Sequence, residues 1–248
     1  MATLPATTDG TLLGGRVSYR QFRDGYRTGI EPVLLAAGVP AQPGARVLEA
    51  GCGAGAGLLC LSARVAGLAG TGIEQDPATA ALARHNLDAN GCAGWPIIGA
   101  PLDEAAAQLP AGGYDHAIAN PPWHRARSSA SPSARRDLAR RAPAGTLAGW
   151  SGRLAQKLRP GGTLTLVVPA AQHAEAAAAM EAAGLGAIRL LPLWPVAGRP
   201  ARIVLIQGMR NAQGDGAVLP GLVLHHPGGG FTADAERILR EGAALPFG

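Results

Sequence analysis

The sequence predicts an α/β fold in which a mostly parallel sheet is covered by helices on both faces, and three observations carry that expectation. Short apolar, β-rich runs alternate along the chain with Ala/Leu-rich helical stretches, the pattern from which βαβ units are built. The strand-like run Arg46 to Ala50 passes directly into Gly51-Cys52-Gly53-Ala54-Gly55-Ala56-Gly57 and then into a helical run, Leu58 to Val65. Glycines there permit positive φ and close approach of a ligand, at a junction where helix N–H groups face the crevice. Finally, Glu49, Glu74 and Asn120 stand at the carboxyl ends of strand-like runs, which is where open α/β sheets bind ligands.

The elements follow in order. Residues 1–30 show no long helical period, and Thr11 to Tyr19 suits a hairpin with Gly14-Gly15 at its turn. After the first strand and helix, Gly70 to Glu74 forms the second core strand. A helix is expected from Pro77 to Asn90, with proline in its first turn and Gly91 at its end. Pro96 to Gly99 and Tyr114 to Ala119 supply the third and fourth strands. A helix over Leu147 to Leu158 leads through Pro160-Gly161-Gly162, read as a turn, into a fifth strand, Thr163 to Val168. An alanine-rich helix near Ala171 to Ala183 precedes strands at Ala187 to Leu193 and Arg202 to Gln207. Residues 218–248 suggest one strand, a break at Pro227-Gly228-Gly229-Gly230 and a helix capped by Thr232. No repeat or linker marks an independent second domain, so three packed segments are expected: 1–30, 31–210 and 211–248.

Composition narrows the function classes. With 248 residues and a hydrophobic fraction of 47%, the chain can bury a full core. It has no run of about 18 apolar residues and no basic region before an apolar N-terminal stretch, so neither membrane spanning nor export is expected and a cytoplasmic protein is. Cys52, Cys60 and Cys92 form no metal-ligand spacing and read as free thiols. His225 and His226 are adjacent, so in a strand they face opposite sides. No metal is expected. The formal net charge is +5, and Arg125, Arg127, Arg135, Arg136, Arg140 and Arg141 crowd into a Ser/Ala/Pro-rich stretch, His124 to Thr146, opposed only by Asp137. Arginine's planar fork suits phosphate, so Arg125, Arg127, Arg135 and Arg136 are candidates for nucleic-acid contact; a solvated surface loop is the plainer alternative.

Asn120-Pro121-Pro122-Trp123 carries the most specific chemistry. Standing alone it is a proline-rich turn after a strand, but here it lies downstream of a glycine loop. The lone pair of a planar NH2 group is delocalised, so methyl transfer onto it needs hydrogen-bond acceptors that hold the group and let nitrogen pyramidalise. The Asn120 side-chain oxygen and the Pro121 carbonyl can be those acceptors, pre-oriented by the consecutive prolines. Trp123 offers a flat face for a planar substrate. Gly51, Gly53 and Ala56 also satisfy a dinucleotide fingerprint, and Glu74 could accept ribose hydroxyls in either cofactor class. Glu49 would repel a pyrophosphate and suits a cofactor with a cationic amino-acid end, which favours S-adenosylmethionine.

Glu49-x-Gly51-x-Gly53-x-Gly55, Glu74 and Asn120-Pro121-Pro122-Trp123, in this order, resemble the class I S-adenosylmethionine-dependent methyltransferases that modify exocyclic nitrogens. Arg20 to Arg27 and Pro192 to Pro200 extend the resemblance to the bacterial tRNA(Val) adenine-N6 methyltransferases of the small-domain superfamily. The resemblance implies a Rossmann-like, mostly parallel seven-stranded sheet with helices on both faces, residues 1–30 as a cap on the cofactor, 31–210 as the methyltransferase core and 211–248 as an extension. It implies Thr28, Glu49, Gly51, Cys52, Gly53, Gly55, Glu74 and Gln75 as cofactor contacts, S-adenosylhomocysteine as product, and Asn120, Pro121, Pro122 and Trp123 as the catalytic set. Trp123 stands where Tyr or Phe is usual, and Asp103 is the acid nearest the position that contacts the cofactor adenine in such enzymes. The expected reaction is methylation of N6 of a tRNA adenine beside the anticodon by a monomer or weak homodimer, with a protein glutamine amide as the rival acceptor and a non-catalytic cofactor-binding module as a second rival.

Overall fold

The computed structural model describes residues 6–24, 27–122, 124–125, 141–142, 145–245 and 247. An antiparallel hairpin of β1 (Thr7–Leu12) and β2 (Val17–Phe22) comes first, its turn formed by a 3-10 segment over Leu13–Gly15. The alternating core follows: α1 (Glu31–Ala37), β3 (Arg46–Ala50), α2 (Ala56–Arg64), β4 (Ala69–Ile73), α3 (Pro77–Ala89), β5 (Ile97–Ile98), α4 (Leu102–Gln108) and β6 (Tyr114–Ala119). Two short strands, β7 (His124–Arg125) and β8 (Arg141–Ala142), pair with each other in parallel. Then come α5 (Thr146–Lys157), β9 (Leu158–Pro169), α6 (His173–Ala182), β10 (Leu185–Val196), β11 (Ile203–Arg210), β12 (Ala217–Val218), β13 (Leu222–His225) and α7 (Ala233–Glu241).

The main sheet runs β12-β10-β11-β9-β6-β3-β4-β5, with β13 also on β10. Only β11 opposes its neighbours; the other pairings are parallel. Seven of these strands answer to the seven expected, and β12 and β13 extend the sheet to nine by pairing with the outer side of β10. Alternate residues of each central strand enter two different cores. Val47, Ile118, Val167 and Leu205 pack with α1, α2, α3 and α7 on one face, while Leu48, Ala50, Ala117 and Leu166 pack with α4, α5 and α6 on the other. Burial on both faces is why these strands read as continuous apolar runs.

Several expectations about boundaries are corrected. Pro160-Gly161-Gly162 is not a turn ahead of a strand but part of β9, because Leu158 already pairs with Tyr114 as it leaves α5. The ladder then jumps from Tyr114 to the His116–Thr163 pair, and Gly161 absorbs the irregularity at φ 77°. Helices α1 and α4 were not foreseen. In α1 every residue from Pro32 to Ala37 is buried, so it has no polar face to create a helical period. The cap foreseen at Thr232 is present, its Oγ1 accepting from Ala235 N at 3.2 Å at the start of α7. At the start of α3 the structure adds a cap that was not foreseen, the Asp76 side chain accepting from Thr79 N at 2.9 Å.

Candidate active site

Strand register assembles the three motifs. Ala50 stands opposite Ala119 on one side and opposite Ile73 on the other, so the next residues, Asn120, Gly51 and Glu74, emerge side by side from three adjacent parallel strands. With strands about 4.8 Å apart, Asn120 and Glu74 are separated by roughly 10 Å, with the glycine loop between them. Pro121 is buried and Pro122 half-buried behind Asn120.

Each loop glycine has its own reason. Gly51, Gly53 and Gly55 take φ of 64°, 55° and 89°, a region that L side chains rarely enter. A Cβ on Gly51 would lie 2.9 Å from the Trp150 ring of α5, and one on Gly57 would lie 2.3 Å from Glu49 Oε1. At Gly53 a Cβ would meet nothing within 4 Å, so this stretch of backbone lies bare to a ligand in the crevice. Cys52 is buried, its N–H donating to Ile73 O at 2.9 Å and its sulfur packed toward Gly72.

The two acids at the strand ends are fixed by backbone amides. Glu74 Oε2 accepts from Gly53 N at 3.1 Å and Oε1 from Asp76 N at 2.8 Å; burial raises its pKa, and the amides of Asp76 and Gly53 oppose that rise. Glu49 is enclosed, with 4% of its surface exposed, and its Oε2 accepts from Leu58 N at 2.9 Å. Because the residue capping α2 is Gly55, which has no side chain to offer, Glu49 supplies from the neighbouring strand the acceptor that the first helical turn needs. Burial pushes its pKa from 4.5 up to about 8, against the Leu58 amide and with help from Glu74. Gln75 is exposed beside Glu74.

Thr28 is half-buried, with its hydroxyl 2.8 Å from Tyr19 Oη and its N–H on Gln21 Oε1 at 3.2 Å. Asp103, in the first turn of α4, faces α5 and pairs with Arg153 at 2.5 Å. Trp123, Arg127, Arg135 and Arg136 lie outside the described residues, and Arg125 is described only as backbone in β7. Two asparagines were not singled out from the sequence. Asn86 of α3, 1% exposed, accepts from Arg20 N at 3.1 Å and donates to Arg20 O at 2.8 Å and Ala54 O at 2.9 Å. Asn90, one turn on, bonds Ser18 in the same way. Together they act as a sheet edge for β2 and tie the hairpin to the glycine loop; their i, i+4 spacing beside buried Ala83 and Leu87 is the signal that could have found them.

With the fold and site in place, the class of protein is defined. Residues 31–188 match the methyltransferase small domain, and the chain belongs to that family, with the α/β Rossmann-like fold of the class I S-adenosylmethionine-dependent methyltransferases. Among individual proteins, it is 33% identical over 156 residues to a ribosomal RNA small subunit methyltransferase C from Chromohalobacter salexigens, a match covering 63% of this chain and 40% of that protein. A predicted O-methyltransferase from Agrobacterium tumefaciens superposes with a TM-score of 0.71 at 22% identity, covering 87% of this chain and 98% of the other. A geranyl diphosphate C-methyltransferase from Streptomyces coelicolor A3(2) gives 0.53 at 13% identity, covering 72% and 74%. These two share the fold. Among the described residues no helix is long and apolar enough to cross a membrane, and no group of three His, Cys, Asp or Glu is placed to hold a metal ion.

Proposed function

We propose that this protein methylates an exocyclic amino group of RNA, N6 of a tRNA adenine next to the anticodon. The observation that carries the reading is the placement of Asn120-Pro121 at the carboxyl end of β6, directly beside Gly51 across the β3–β6 ladder. S-adenosylmethionine supplies an electrophilic methyl group on a sulfonium sulfur. The bare backbone at Gly53 and the carboxylate of Glu74, which keeps acceptor capacity beyond its two amides, fit its adenosine part; Thr28, Cys52, Gly55 and Gln75 complete the wall on this reading.

Asn120 and the Pro121 carbonyl hold the amino group by its two hydrogens, so that its lone pair turns out of the ring plane as the nitrogen becomes nucleophilic. No strong base is required, because the nitrogen becomes acidic once it carries the methyl group and then releases a proton to solvent. Preorganised acceptors of this kind typically account for 10²–10³ in rate. A stacked base is out of reach, so the target nucleotide turns out against Trp123, which is easier in a loop than in a duplex. The arginines of residues 125–136 then hold phosphates.

The relative from C. salexigens is named for small-subunit ribosomal RNA, which supports an RNA acceptor and makes ribosomal RNA the alternative to test. Incubation with labelled S-adenosylmethionine and, separately, total tRNA, small ribosomal subunits and release-factor protein distinguishes the acceptors. Label in N6-methyladenosine of tRNA is expected, and label in glutamine or in ribosomal RNA alone overturns the tRNA reading. Asn120→Ala should lower single-turnover methylation by about two to three orders of magnitude while leaving cofactor affinity intact; full activity in that variant would remove Asn120 from the mechanism.

A further inference from the structure

Among the described residues, one acidic side chain has a buried oxygen with no hydrogen-bond partner. Glu31 begins α1, and its Oε2 is buried without a hydrogen bond, an arrangement that folded proteins rarely leave uncompensated. The side chain folds back on the segment before it: a Cβ on Gly29 would lie 2.2 Å from Glu31 Oε2. Gly29 is therefore the residue that admits the carboxylate, next to Thr28, which is anchored on Tyr19.

The packing of α1 places this oxygen. At the far end of α1, Gly38 O accepts from Gln207 Nε2 at 2.9 Å, and Gln207 stands opposite Thr165, itself opposite Ile118 and hence level with Glu49. The chain passes from Gly38 to the start of β3, so α1 runs antiparallel to the strands and its first residue points toward their carboxyl ends. Seven residues at 1.5 Å each raise Glu31 about 10 Å above mid-sheet, or roughly three strand residues, to the level of Asn120-Pro121. Helix α1 packs against α2 and β6, on the face from which Glu49 reaches Leu58. Glu49 and Glu74 already hold backbone amides there. Among the described residues, Glu31 is the acid whose oxygen is buried with no hydrogen bond to satisfy it.

We infer that Glu31 receives the ammonium group of the amino-acid end of S-adenosylmethionine, with Glu49 acting as the internal cap of α2. This rests on the cofactor class and not on the identity of the RNA acceptor. An ammonium offers three donors to a carboxylate, and the pairing satisfies the buried oxygen in the bound state alone.

The test is calorimetric titration with S-adenosylhomocysteine, which carries the ammonium group, and with 5′-methylthioadenosine, which has the same nucleoside and thioether but no amino-acid end. In Glu31→Gln, affinity for S-adenosylhomocysteine should fall about tenfold or more, as for loss of a hydrogen bond to a charged group, while that for 5′-methylthioadenosine stays within about twofold. Gly29→Ala, which displaces the carboxylate without removing its charge, should give the same selective loss. Thermal stability of the ligand-free Glu31→Gln protein should equal or exceed the wild type, because the variant buries no charge. Equal losses for both ligands, or no loss for either, would overturn the assignment. No RNA enters the assay, so its outcome is separate from that of the acceptor experiment.

Discussion

Replacing Glu49 with glutamine should make the ligand-free protein more stable, and the gain should grow with pH. In the folded protein this carboxyl keeps its proton up to about pH 8, whereas the ordinary value is 4.5. Between those limits the unfolded chain has released the proton and the folded chain has not, so the folded state is penalised increasingly as pH rises. From 4.5 to 7 the penalty amounts to about 3 kcal/mol at 1.36 kcal/mol per unit. Glutamine reproduces the protonated acid: its carbonyl oxygen can still accept from Leu58 N, and it has no charge to lose. Melting temperatures of both proteins, measured from pH 5 to pH 8 without ligand, should coincide near pH 5. They should diverge by roughly 6–12 °C at neutral pH and above, at about 2–4 °C per kcal/mol for a chain of this size. Parallel curves would refute the reasoning, since they would mean that Glu49 is ionised or solvated in the folded protein.

Other outcomes follow from the same geometry. Asn86→Ala leaves two backbone groups of Arg20 and the Ala54 carbonyl without their partner; it should cost roughly 2 to 4 kcal/mol and weaken S-adenosylhomocysteine binding, and a melting temperature within a degree of wild type would count against this link. Glu74→Ala should reduce S-adenosylhomocysteine and 5′-methylthioadenosine affinity alike by about tenfold or more, since both carry the ribose; unchanged affinity by calorimetry removes Glu74 from the site. Replacing Arg125, Arg127, Arg135 and Arg136 together with alanine should weaken tRNA binding and flatten its salt dependence by roughly 0.7 to 0.9 in slope per lost phosphate contact, with cofactor affinity unchanged. A wild-type salt slope in that variant would leave the segment no part in RNA binding.

The sequence by itself determined the sheet, the glycine loop and the strand ends that carry Glu49, Glu74 and Asn120. Those features follow from local rules: an apolar run buried on two faces, glycines where φ is positive, proline, glycine and a threonine cap at helix ends. Residues 114–119 form the expected strand with both boundaries as read, and Thr232 caps the expected helix. What only the tertiary structure decided is who meets whom. That Asn120 stands beside Gly51 is a matter of parallel register between strands far apart in the chain, which no local pattern records. Glu49 reads from the sequence as an acid for a cationic ligand; its partner across the loop turns out to be the Leu58 amide, because α2 begins with a glycine that cannot cap it. Helix α1 is buried all round and has no period to read, so Glu31, poised at its start, stayed invisible until the fold carried it to the crevice.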